Sequence, residues 1–449
     1  MPLTPMPAPA PMHERCDILI IGAGPAGMAA ALAAAPSGAA ITVVDDNPQP
    51  GGQIWRDGPQ VARPPLAQQH RAALARHTNI RVLTGTRLVG LGARQPTDKA
   101  PALLLEDADR GWTQHSHCII LCTGARELLL PFPGWTLPGV TGAGALQALI
   151  KAGLDVRGQR IVIAGTGPLL LAAAATATQA GATVVRIAEQ ASWAALARFA
   201  AQLPRWPAKA LQALTLLNTG LRANTHVLEA QGTTQVQSVR LRKGVHAEET
   251  ITCDRVACGF GLVPNTQLGQ LLGCTLGGPL SGGLGLAVDA QMRATVHGVL
   301  AAGESTGFGG SERALVQGAI AGHTAAGHVQ QAQALRSQLA RWERFAQALQ
   351  SSFVLNEQLK ALPRPDTLVC RCEDVAYADL APRQGWIDAK LHTRCGMGAC
   401  QGRICSAATQ HLFGWTPAAP RQLLAPARIA TLADCGGPAP EHPGAAPPA

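Results

Sequence analysis

The sequence contains few aromatic and few charged residues. Aromatic residues make up 4% of its 449 residues and charged residues 14%, whereas 47% are hydrophobic and alanine, glycine and proline are abundant. This composition is typical of tightly packed α/β layers and is ample for buried cores in two to four domains. The net charge of +9 is not concentrated in any run of five or six like charges. It therefore predicts a diffusely basic surface and no nucleic-acid partner.

Long apolar runs are also missing. No stretch approaches about 18 uninterrupted apolar residues, so no membrane-spanning helix is predicted. Residues 1–14 are rich in proline and have neither a basic start nor an apolar centre, which predicts a disordered lead-in and no secretory signal. Residues 436–449 predict a loose tail. A cytoplasmic protein is the resulting expectation, and in a reducing compartment its 12 cysteines favour metal or redox sites over disulfides.

A nucleotide-binding pattern begins at residue 18. Residues 18–21 form an apolar run that predicts a buried parallel strand, and a Gly-x-Gly-x-x-Gly turn and an alanine-rich helical segment follow it. In such a turn the first glycine permits the tight bend, the second lets the backbone approach a pyrophosphate, and the third lets helix and strand pack closely. A second apolar strand, residues 41–44, ends in an acid that can accept hydrogen bonds from ribose hydroxyls. The predicted nucleotide-binding residues of this segment are Gly22, Gly24, Pro25, Ala26, Gly27 and Asp45.

Three further segments resemble motifs of the flavoproteins that carry two dinucleotide-binding domains, the glutathione-reductase-like fold. Residues 119–125 resemble the strand-to-Thr-Gly turn by which those chains return to the flavin domain, and residues 51–53 resemble the loop that approaches the flavin ring. Residues 296–307 resemble the second flavin motif, in which an acidic residue, usually Asp, hydrogen-bonds the ribityl chain. The resemblance implies FAD as the dinucleotide of the first site. The residues that it adds to the site are Gly52, Gln53, Thr123, Gly124, Gly303 and Glu304.

A second glycine turn lies farther along the chain. It contains Gly165 and Gly167 but has Leu170 in place of the third glycine, and the strand that follows ends near Glu189. In relatives of the glutathione-reductase-like fold this domain binds NAD(P)H, so Gly165, Gly167 and Glu189 are the candidate contacts. Leu170 adds bulk where helix and strand must pack closely. A working nicotinamide site and a retained scaffold therefore both stay open.

The order of these motifs predicts an α/β protein with two Rossmann-like domains. The expected FAD-binding domain is split into residues 15–140 and 285–350, and an NAD(P)-type domain, residues 141–284, is inserted between its halves. Residues 190–224 are interpreted as two helices, which either form a lid on the protein's own core or present a docking surface to a partner protein. Residues 366–435 are expected to form a small helical C-terminal domain.

The C-terminal domain contains a cluster of cysteines. Cys370 and Cys372 form a CxC pair, and after 27 intervening residues Cys400 and Cys405 form a CxxxxC pair. Thiolates paired on two tight loops suit two irons bridged by sulfide. Four thiolates also suit a structural zinc, although CxC is an unusual zinc spacing. A [2Fe–2S] cluster is the preferred interpretation, zinc and plain core cysteines are the alternatives, and Cys395 is a fifth thiol whose role the spacing leaves open.

Glycines and arginines flank these cysteines. Glycine at positions 396, 398 and 402 frees backbone N–H groups to point at cluster sulfurs. Arg371, Arg394 and Arg403 are placed to offset the negative charge of a tetrathiolate cluster. Both features favour the iron–sulfur interpretation.

The whole pattern is similar to the flavin-containing subunit of hydrogen cyanide synthases, of opine oxidases, and of the D-hydroxyproline or proline dehydrogenases that are built of several chains. Residues 131–140, 259–265 and 396–403 carry this resemblance, which covers about residues 16–435. It implies a [2Fe–2S] domain of the bacterioferritin-associated-ferredoxin type at the C-terminal end. It also implies a partner flavoprotein of the D-amino-acid-oxidase type that oxidises the C–N bond of the substrate. The further partner that it implies is a small ferredoxin-like subunit.

These features predict an electron-transfer subunit of an amino-acid or imino-acid dehydrogenase or oxidase, of the opine, hydroxyproline or glycine type. A flavin can take up two electrons together and release them singly, as an iron–sulfur cluster requires. No Ser–His–Asp, paired-carboxylate or nucleophile-plus-base pattern is apparent, so no catalytic residue is assigned and the substrate chemistry is expected in the partner. Two alternatives stay open: a self-contained NAD(P)H-dependent flavin reductase feeding the cluster, and a non-catalytic module for iron delivery or docking.

Overall fold

The computed structural model describes residues 13–59, 64–216, 220–277 and 284–435. The expected tail and residues 1–12 of the expected lead-in lie outside the described residues, whereas residues 13 and 14 open the first strand. None of the helices in these described ranges combines the length and the apolar character needed to cross a bilayer.

The N-terminal part of the chain forms a Rossmann-like sheet. Its elements are β1 (His13–Ile21), α1 (Pro25–Ala34), β2 (Ile41–Val44), α2 (Pro65–Arg76), β3 (Ile80–Leu83), β4 (Arg87–Leu91), β5 (Leu103–Glu106), β6 (Gly111–Leu121) and β7 (Ala125–Glu127). β1 pairs in parallel with β2 and β6, and β3 pairs in parallel with β2, while β5 and β4 extend the sheet as an antiparallel ribbon. β2 is buried at every position, as expected for a parallel strand that helices cover on both faces.

A second nucleotide-type domain follows. Its elements are β8 (Val140–Gly142), α3 (Ala143–Lys151), β9 (Arg160–Gly165), α4 (Leu169–Gln179), β10 (Thr183–Glu189), α5 (Trp193–Gln202), α6 (Pro207–Thr215), β11 (Leu221–Arg222), β12 (Thr225–Gln231), β13 (Ser238–Lys243), β14 (Ala247–Thr252), β15 (Arg255–Gly259), β16 (Leu262–Pro264) and α7 (Gln267–Leu271). The parallel sheet has the order β11-β10-β9-β15-β8, and β12 to β14 form a separate antiparallel sheet. β16 pairs with β7, so the two domains are joined by a short antiparallel ribbon.

The chain then returns to the first domain. The returning elements are β17 (Val299–Ala301), α8 (Gly310–Ala325), α9 (Val329–Ala334) and α10 (Arg336–Ser352). β17 pairs in parallel with β6, and α8 lies directly on α1. A Cβ atom at Gly318 would lie 2.1 Å from the carbonyl oxygen of Ala26, and one at Gly322 would lie 2.1 Å from that of Ala30. These glycines let the two helices pack backbone to backbone, which joins the halves of the first domain.

Helices α5 and α6 cover α10 with their inner face. Phe199 and Trp206 pack against Phe345 of α10, with ring centroids 6.2 and 5.2 Å away. The inner face of α5 and α6 therefore packs on the protein's own core, which agrees with the interpretation of these helices as a lid. The outer side exposes three large apolar side chains, Trp193, Leu211 and Leu214.

The C-terminal domain is small and has its own core. Its elements are β18 (Leu368–Cys370), β19 (Val375–Ala376), α11 (Tyr377–Leu380), α12 (Trp386–Thr393), α13 (Cys405–Phe413) and α14 (Ile429–Cys435). Its last segment leaves that core and runs along β4, where Leu424 N–H donates to the carbonyl oxygen of Val89 at 2.7 Å and Arg428 N–H donates to Glu106 at 2.9 Å. The sequence predicts this segment as part of the C-terminal domain, and in the structure it also contacts the first sheet. The predicted α/β class, with two Rossmann-like domains and a helical C-terminal unit, is confirmed.

Candidate functional site

Only glycine fits at two positions of the first glycine motif, one in the turn between β1 and α1 and one inside α1. Gly22 has a φ of +106°, and a Cβ atom there would lie 2.3 Å from the carbonyl oxygen of Cys122. At Gly27 a Cβ atom would lie 1.8 Å from the carbonyl oxygen of Gly22. At Gly24, by contrast, the nearest atom to such a Cβ is the Cα of Gly52, at 3.8 Å. No side chain caps the start of α1, so its first free N–H groups face this open space and suit a phosphate.

Asp45 is held beside this turn at the end of β2. Its buried carboxylate accepts hydrogen bonds from Ala23 N–H at 2.6 Å, from Asn47 N–H at 2.9 Å and from the Asn47 side chain at 2.7 Å. An ionised carboxylate offers about four acceptor positions, so one stays available to a ribose hydroxyl. The two remaining predicted residues of this turn lie in α1, where Pro25 is the first residue and Ala26 is buried.

The loop after β2 closes one side of the cleft. Gly51 N–H donates to the carbonyl oxygen of Ala23 at 2.8 Å, which brings the loop onto the glycine turn. Gly52 has a φ of +59°, and a Cβ atom there would lie 3.0 Å from the Cα of Gly24. Gln53 follows and is exposed. The loop therefore lies against the first glycine turn, and its approach to a flavin ring stays a prediction.

The turn after β6 is tied to the second domain by Asn265. The Asn265 side chain donates to the carbonyl oxygen of Thr123 at 3.0 Å, and Asn265 N–H donates to that of Gly124 at 2.9 Å. The Thr123 hydroxyl donates in return to the carbonyl oxygen of Asn265 at 2.5 Å. Sequence reasoning gave Asn265 no role, although it ends one of the segments that carry the resemblance.

Glu304 lies in the turn between β17 and α8, with Gly303 buried directly before it. Its Oε1 atom accepts hydrogen bonds from the N–H groups of Gly310 at 2.9 Å and Gly309 at 3.4 Å. Its Oε2 atom is buried without a hydrogen-bond partner among the described residues, and burial raises the pKa of this carboxyl. An orphaned buried oxygen needs a partner, and a ribityl hydroxyl would supply one. Together with the uncapped α1 and the open Gly24, this carboxylate fits FAD.

The second glycine turn is built in a similar way. Gly165 has a φ of +140°, and a Cβ atom there would lie 1.9 Å from the carbonyl oxygen of Gly259. Glu189 is buried and accepts hydrogen bonds from Gly167 N–H at 2.7 Å and Ala191 N–H at 2.8 Å, and burial raises its pKa. Leu170 is fully buried, and its Cδ2 atom would lie 3.2 Å from a Cβ atom at Gly259. The bulk of Leu170 is thus accommodated because β15 ends in glycine.

The protein's own chain covers this second turn. After α10, residues 353–356 run past the carboxyl end of β10, where the buried Gln190 side chain donates to the carbonyl oxygen of Val354 at 2.8 Å and accepts from Asn356 N–H at 2.9 Å. The Phe353 ring lies 3.9 Å from the position of a Cβ atom at Gly167. Dinucleotides bind beyond the carboxyl ends of such strands, so NAD(P) in the usual place would meet this segment. The segment therefore lies beside the candidate contacts Gly167 and Glu189.

The C-terminal domain brings five thiols together. The Sγ atoms of Cys370, Cys395 and Cys405 all lie within 4.8 Å of one another, and all three residues are buried. Cys372, which is exposed, and Cys400, which is half-buried, hydrogen-bond each other. The structure therefore groups Cys395, whose role the spacing left open, with the predicted ligands Cys370 and Cys405, and it pairs the other two predicted ligands, Cys372 and Cys400, with each other.

Glycines allow the cysteine loops to approach each other. A Cβ atom at Gly398 would lie 2.3 Å from the Cβ of Cys372. Gly396 has a φ of +79°, and a Cβ atom there would lie 2.5 Å from the Trp386 ring. The loop before α13 consequently packs on α12 and on the CxC turn at once, which holds the two cysteine pairs at short range.

The three buried thiols shift one another's pKa through hydrogen bonds. Hydrogen bonds from Cys395 and Cys405 lower the pKa of Cys370 to about 2. The same contact with Cys370 raises the pKa of Cys395 to about 12 and raises the pKa of Cys405 as well. Thiolates are soft ligands for iron and zinc, and metal binding displaces the protons that the neighbouring thiols share. The donor set fits a soft metal centre.

Four arginines lie in the cysteine loops or contact them. Arg394 forms an ion pair with Glu373 at 2.7 Å, and the Arg371 guanidinium lies 4.8 Å from the centre of the Trp135 ring. The Arg403 side chain donates to the carbonyl oxygen of Leu424. Sequence reasoning missed the fourth, Arg126 in β7, whose pKa is lowered to about 10 by burial and by the neighbouring Arg403. Arg126 lies two residues after Gly124 of the Thr-Gly turn, and this position is the only local sequence signal that points to Arg126.

Two Rossmann-like sheets with a flavin-type glycine turn define the chain as a flavoprotein oxidoreductase. It belongs to the pyridine nucleotide-disulphide oxidoreductase family, whose profile matches residues 16–334. Its FAD cofactor follows from this membership and from the fit of the first site. The predicted resemblance to the two-dinucleotide-domain flavoproteins is confirmed.

The relatives are similar over almost the whole chain. The A subunit of opine oxidase from Agrobacterium tumefaciens (strain Ach5) is 30% identical over 438 residues, covering 88% of this chain and 85% of the relative. The HcnB subunit of hydrogen cyanide synthase from Pseudomonas aeruginosa is 30% identical over 446 residues, covering 88% of this chain and 94% of the relative. The crystal structure of L-proline dehydrogenase from P. horikoshii matches with a TM-score of 0.66 and 16% identity, covering 94% of this chain and 80% of that chain. At this identity the structural match shows the fold alone.

Proposed function

We propose that this chain is the FAD- and [2Fe–2S]-containing electron-transfer subunit of a heteromeric dehydrogenase or oxidase. The complex acts on the C–N bond of an amino acid, an imino acid or an opine. Similarity to the proteins named as the A subunit of opine oxidase and the HcnB subunit of hydrogen cyanide synthase supports this role within a larger complex. Substrate oxidation is assigned to a partner of the D-amino-acid-oxidase type, and the further partner is a small ferredoxin-like subunit.

The connection between the flavin turn and the cysteine loop carries this proposal. Asn265 holds the turn of Thr123 and Gly124, and Arg126, two residues later, donates to the carbonyl oxygen of Arg403 at 2.7 Å. Arg403 lies in the loop between the last two predicted cluster ligands. When bound, FAD takes up electrons in pairs and releases them singly. A one-electron carrier beside the flavin would accept these single electrons. The chain's own residues hold the two sites together.

Co-expression with an amine-oxidising partner tests this function. This chain is expressed alone and together with a flavoprotein of the D-amino-acid-oxidase type, and flavin absorbance is followed anaerobically after adding a panel of amino acids, imino acids and opines. We expect bleaching with at least one substrate class in the complex and none with this chain alone. Bleaching of the isolated chain by such a substrate would place the oxidation here and contradict the assignment.

The covered second turn disfavours the alternative of a self-contained NAD(P)H reductase. Because residues 353–356 lie beside Gly167 and Gln190, we expect NADH and NADPH to leave the flavin of the isolated protein oxidised in a stopped-flow experiment. Dithionite, which needs no binding site, serves as the control and should bleach the same sample. Rapid bleaching by either nucleotide at micromolar concentration would restore the reductase interpretation.

A further inference from the structure

Arg126 lies at the junction between the flavin turn and the cysteine loop. Its Nε donates to the carbonyl oxygen of Arg403 at 2.7 Å. Its Nη1 donates to the side-chain oxygen of Asn265 at 3.1 Å and to the carbonyl oxygen of Pro264 at 3.3 Å. One partly buried side chain therefore contacts both the segment that holds the flavin turn and the loop that carries the last two predicted cluster ligands.

All acceptors of this guanidinium are neutral oxygens. Across the ranges that the structure describes, neither Arg126 nor Arg403 forms an ion pair with a carboxylate. The adjacent Glu127 is directed elsewhere and accepts from two N–H groups at the start of α3. Arg394 provides the contrast, because it is exposed and already paired with Glu373.

Two neighbouring guanidinium groups repel each other in a partly buried site. Buried charges are normally paired, because removing an ion from water has a large free-energy cost unless an opposite charge offsets it. The carbonyl oxygen that accepts from Arg126 Nε belongs to Arg403, which lies in the loop between the predicted ligands Cys400 and Cys405. The missing negative charge is therefore expected on the side of the cysteine loop.

We propose that Arg126 is a charge-compensating residue for an anionic iron–sulfur cluster in this loop, and that it raises the reduction potential of the cluster. This inference rests on the proposed function. Reduction adds one negative charge to the cluster, so a nearby fixed cation stabilises the reduced form more than the oxidised form. Partial burial keeps the cation effective, since salt screens it less than a surface charge. Its contact with the Arg403 carbonyl also fixes the loop between two ligands.

Potentiometric titration of the full chain tests this role. We compare the wild-type protein, Arg126→Gln, Arg126→Lys and Arg383→Gln, and follow the reduced cluster by electron paramagnetic resonance. Arg383 lies in the C-terminal domain with the cysteine loops, and among the described residues its side chain donates only to the carbonyl oxygen of Asp379. Arg383→Gln therefore controls for the loss of one positive charge. Iron, sulfide and FAD per chain are measured for each variant.

Arg126→Gln is expected to shift the reduction equilibrium about tenfold towards the oxidised cluster at a fixed potential, which is 59 mV for a one-electron couple. The shift should persist at high salt. Arg126→Lys retains the charge and should stay within about threefold of the wild type, as should Arg383→Gln. The flavin content is expected to be equal in all four proteins.

Two results would overturn the role of Arg126. One is a full iron and sulfide content in Arg126→Gln with an unchanged potential. The other is a shift of the reduction potential in Arg126→Lys as large as that in Arg126→Gln, which would indicate loop geometry rather than charge. If Arg126→Gln loses its iron, the potential of Arg126→Lys still distinguishes the two explanations. A wild-type protein with stoichiometric zinc and no iron would instead reject the cluster of the proposed function, and the inference with it.

Discussion

Replacing Gly24 with valine is expected to give a folded protein with a reduced FAD content. A Cβ atom at this position would meet only the Cα of Gly52, at 3.8 Å, so the protein itself tolerates a side chain there. The valine would instead occupy the space through which the backbone approaches the pyrophosphate. A hydrogen bond to a charged group contributes about 1.5–3 kcal/mol, so losing one phosphate contact weakens binding by about tenfold to a hundredfold.

Flavin content per chain and circular dichroism measure this result together. Gly385→Ala is the matched control, because a Cβ atom there has no neighbour within 4 Å and the residue has extended backbone. Gly27→Ala is a contrasting variant, since its Cβ would lie 1.8 Å from the carbonyl oxygen of Gly22, and it should lose folded structure as well as FAD. A folded Gly24→Val protein with full flavin content would show that the first glycine turn is not the FAD site.

Serine at the predicted ligands is expected to remove the iron. The wild-type protein should be red-brown and contain about two irons and two labile sulfides per chain. Cys370→Ser, Cys372→Ser, Cys400→Ser and Cys405→Ser should each lose most of the visible charge-transfer absorbance, because a serine oxygen is a harder ligand than a thiolate. The flavin should remain in all four variants, since its contacts lie in the first domain. Elemental analysis and visible spectra of anaerobically purified protein measure both cofactors.

Cys395→Ser is the control from within the same group of thiols. Its Sγ lies within 4.8 Å of two predicted ligands, yet the CxC and CxxxxC pairs already supply four thiolates, so this variant should retain its iron. Loss of iron in Cys395→Ser would show that Cys395 replaces one of the four predicted ligands. Zinc in the wild-type protein, with no iron, would contradict the cluster altogether.

The sequence alone could predict those parts of the site that lie within a single short motif. The glycine turn, Asp45 and the Thr-Gly turn each follow a strand, and the carboxyl ends of parallel strands meet at one edge of a sheet. Their proximity therefore follows from the order of strands. The orphaned oxygen of Glu304 required the structure, because it depends on how α8 begins.

The parts that sequence could not predict arise from contacts between distant segments. Arg126 and Arg403 are 277 positions apart, and no spacing rule connects them. Gln190 binds the backbone of residues 354 and 356, which closes a turn that sequence alone left open. Leu170 was expected to crowd its helix, whereas Gly259 on a neighbouring strand makes room for it. Each outcome was decided by tertiary packing and not by the local pattern.

The backbone contact between α1 and α8 has a consequence for synthesis on the ribosome. α1 ends at Ala34 and leaves the ribosome long before α8, the helix that buries one of its faces and ends at Ala325. A nascent chain that has not yet reached this helix presents an alanine-rich apolar surface and lacks Glu304, so it cannot complete its flavin site. The second domain, whose parallel sheet is contiguous in sequence, is able to close earlier. We therefore expect FAD to bind late in synthesis. Chaperones can bind the exposed apolar face of α1 during the time between the synthesis of α1 and that of α8.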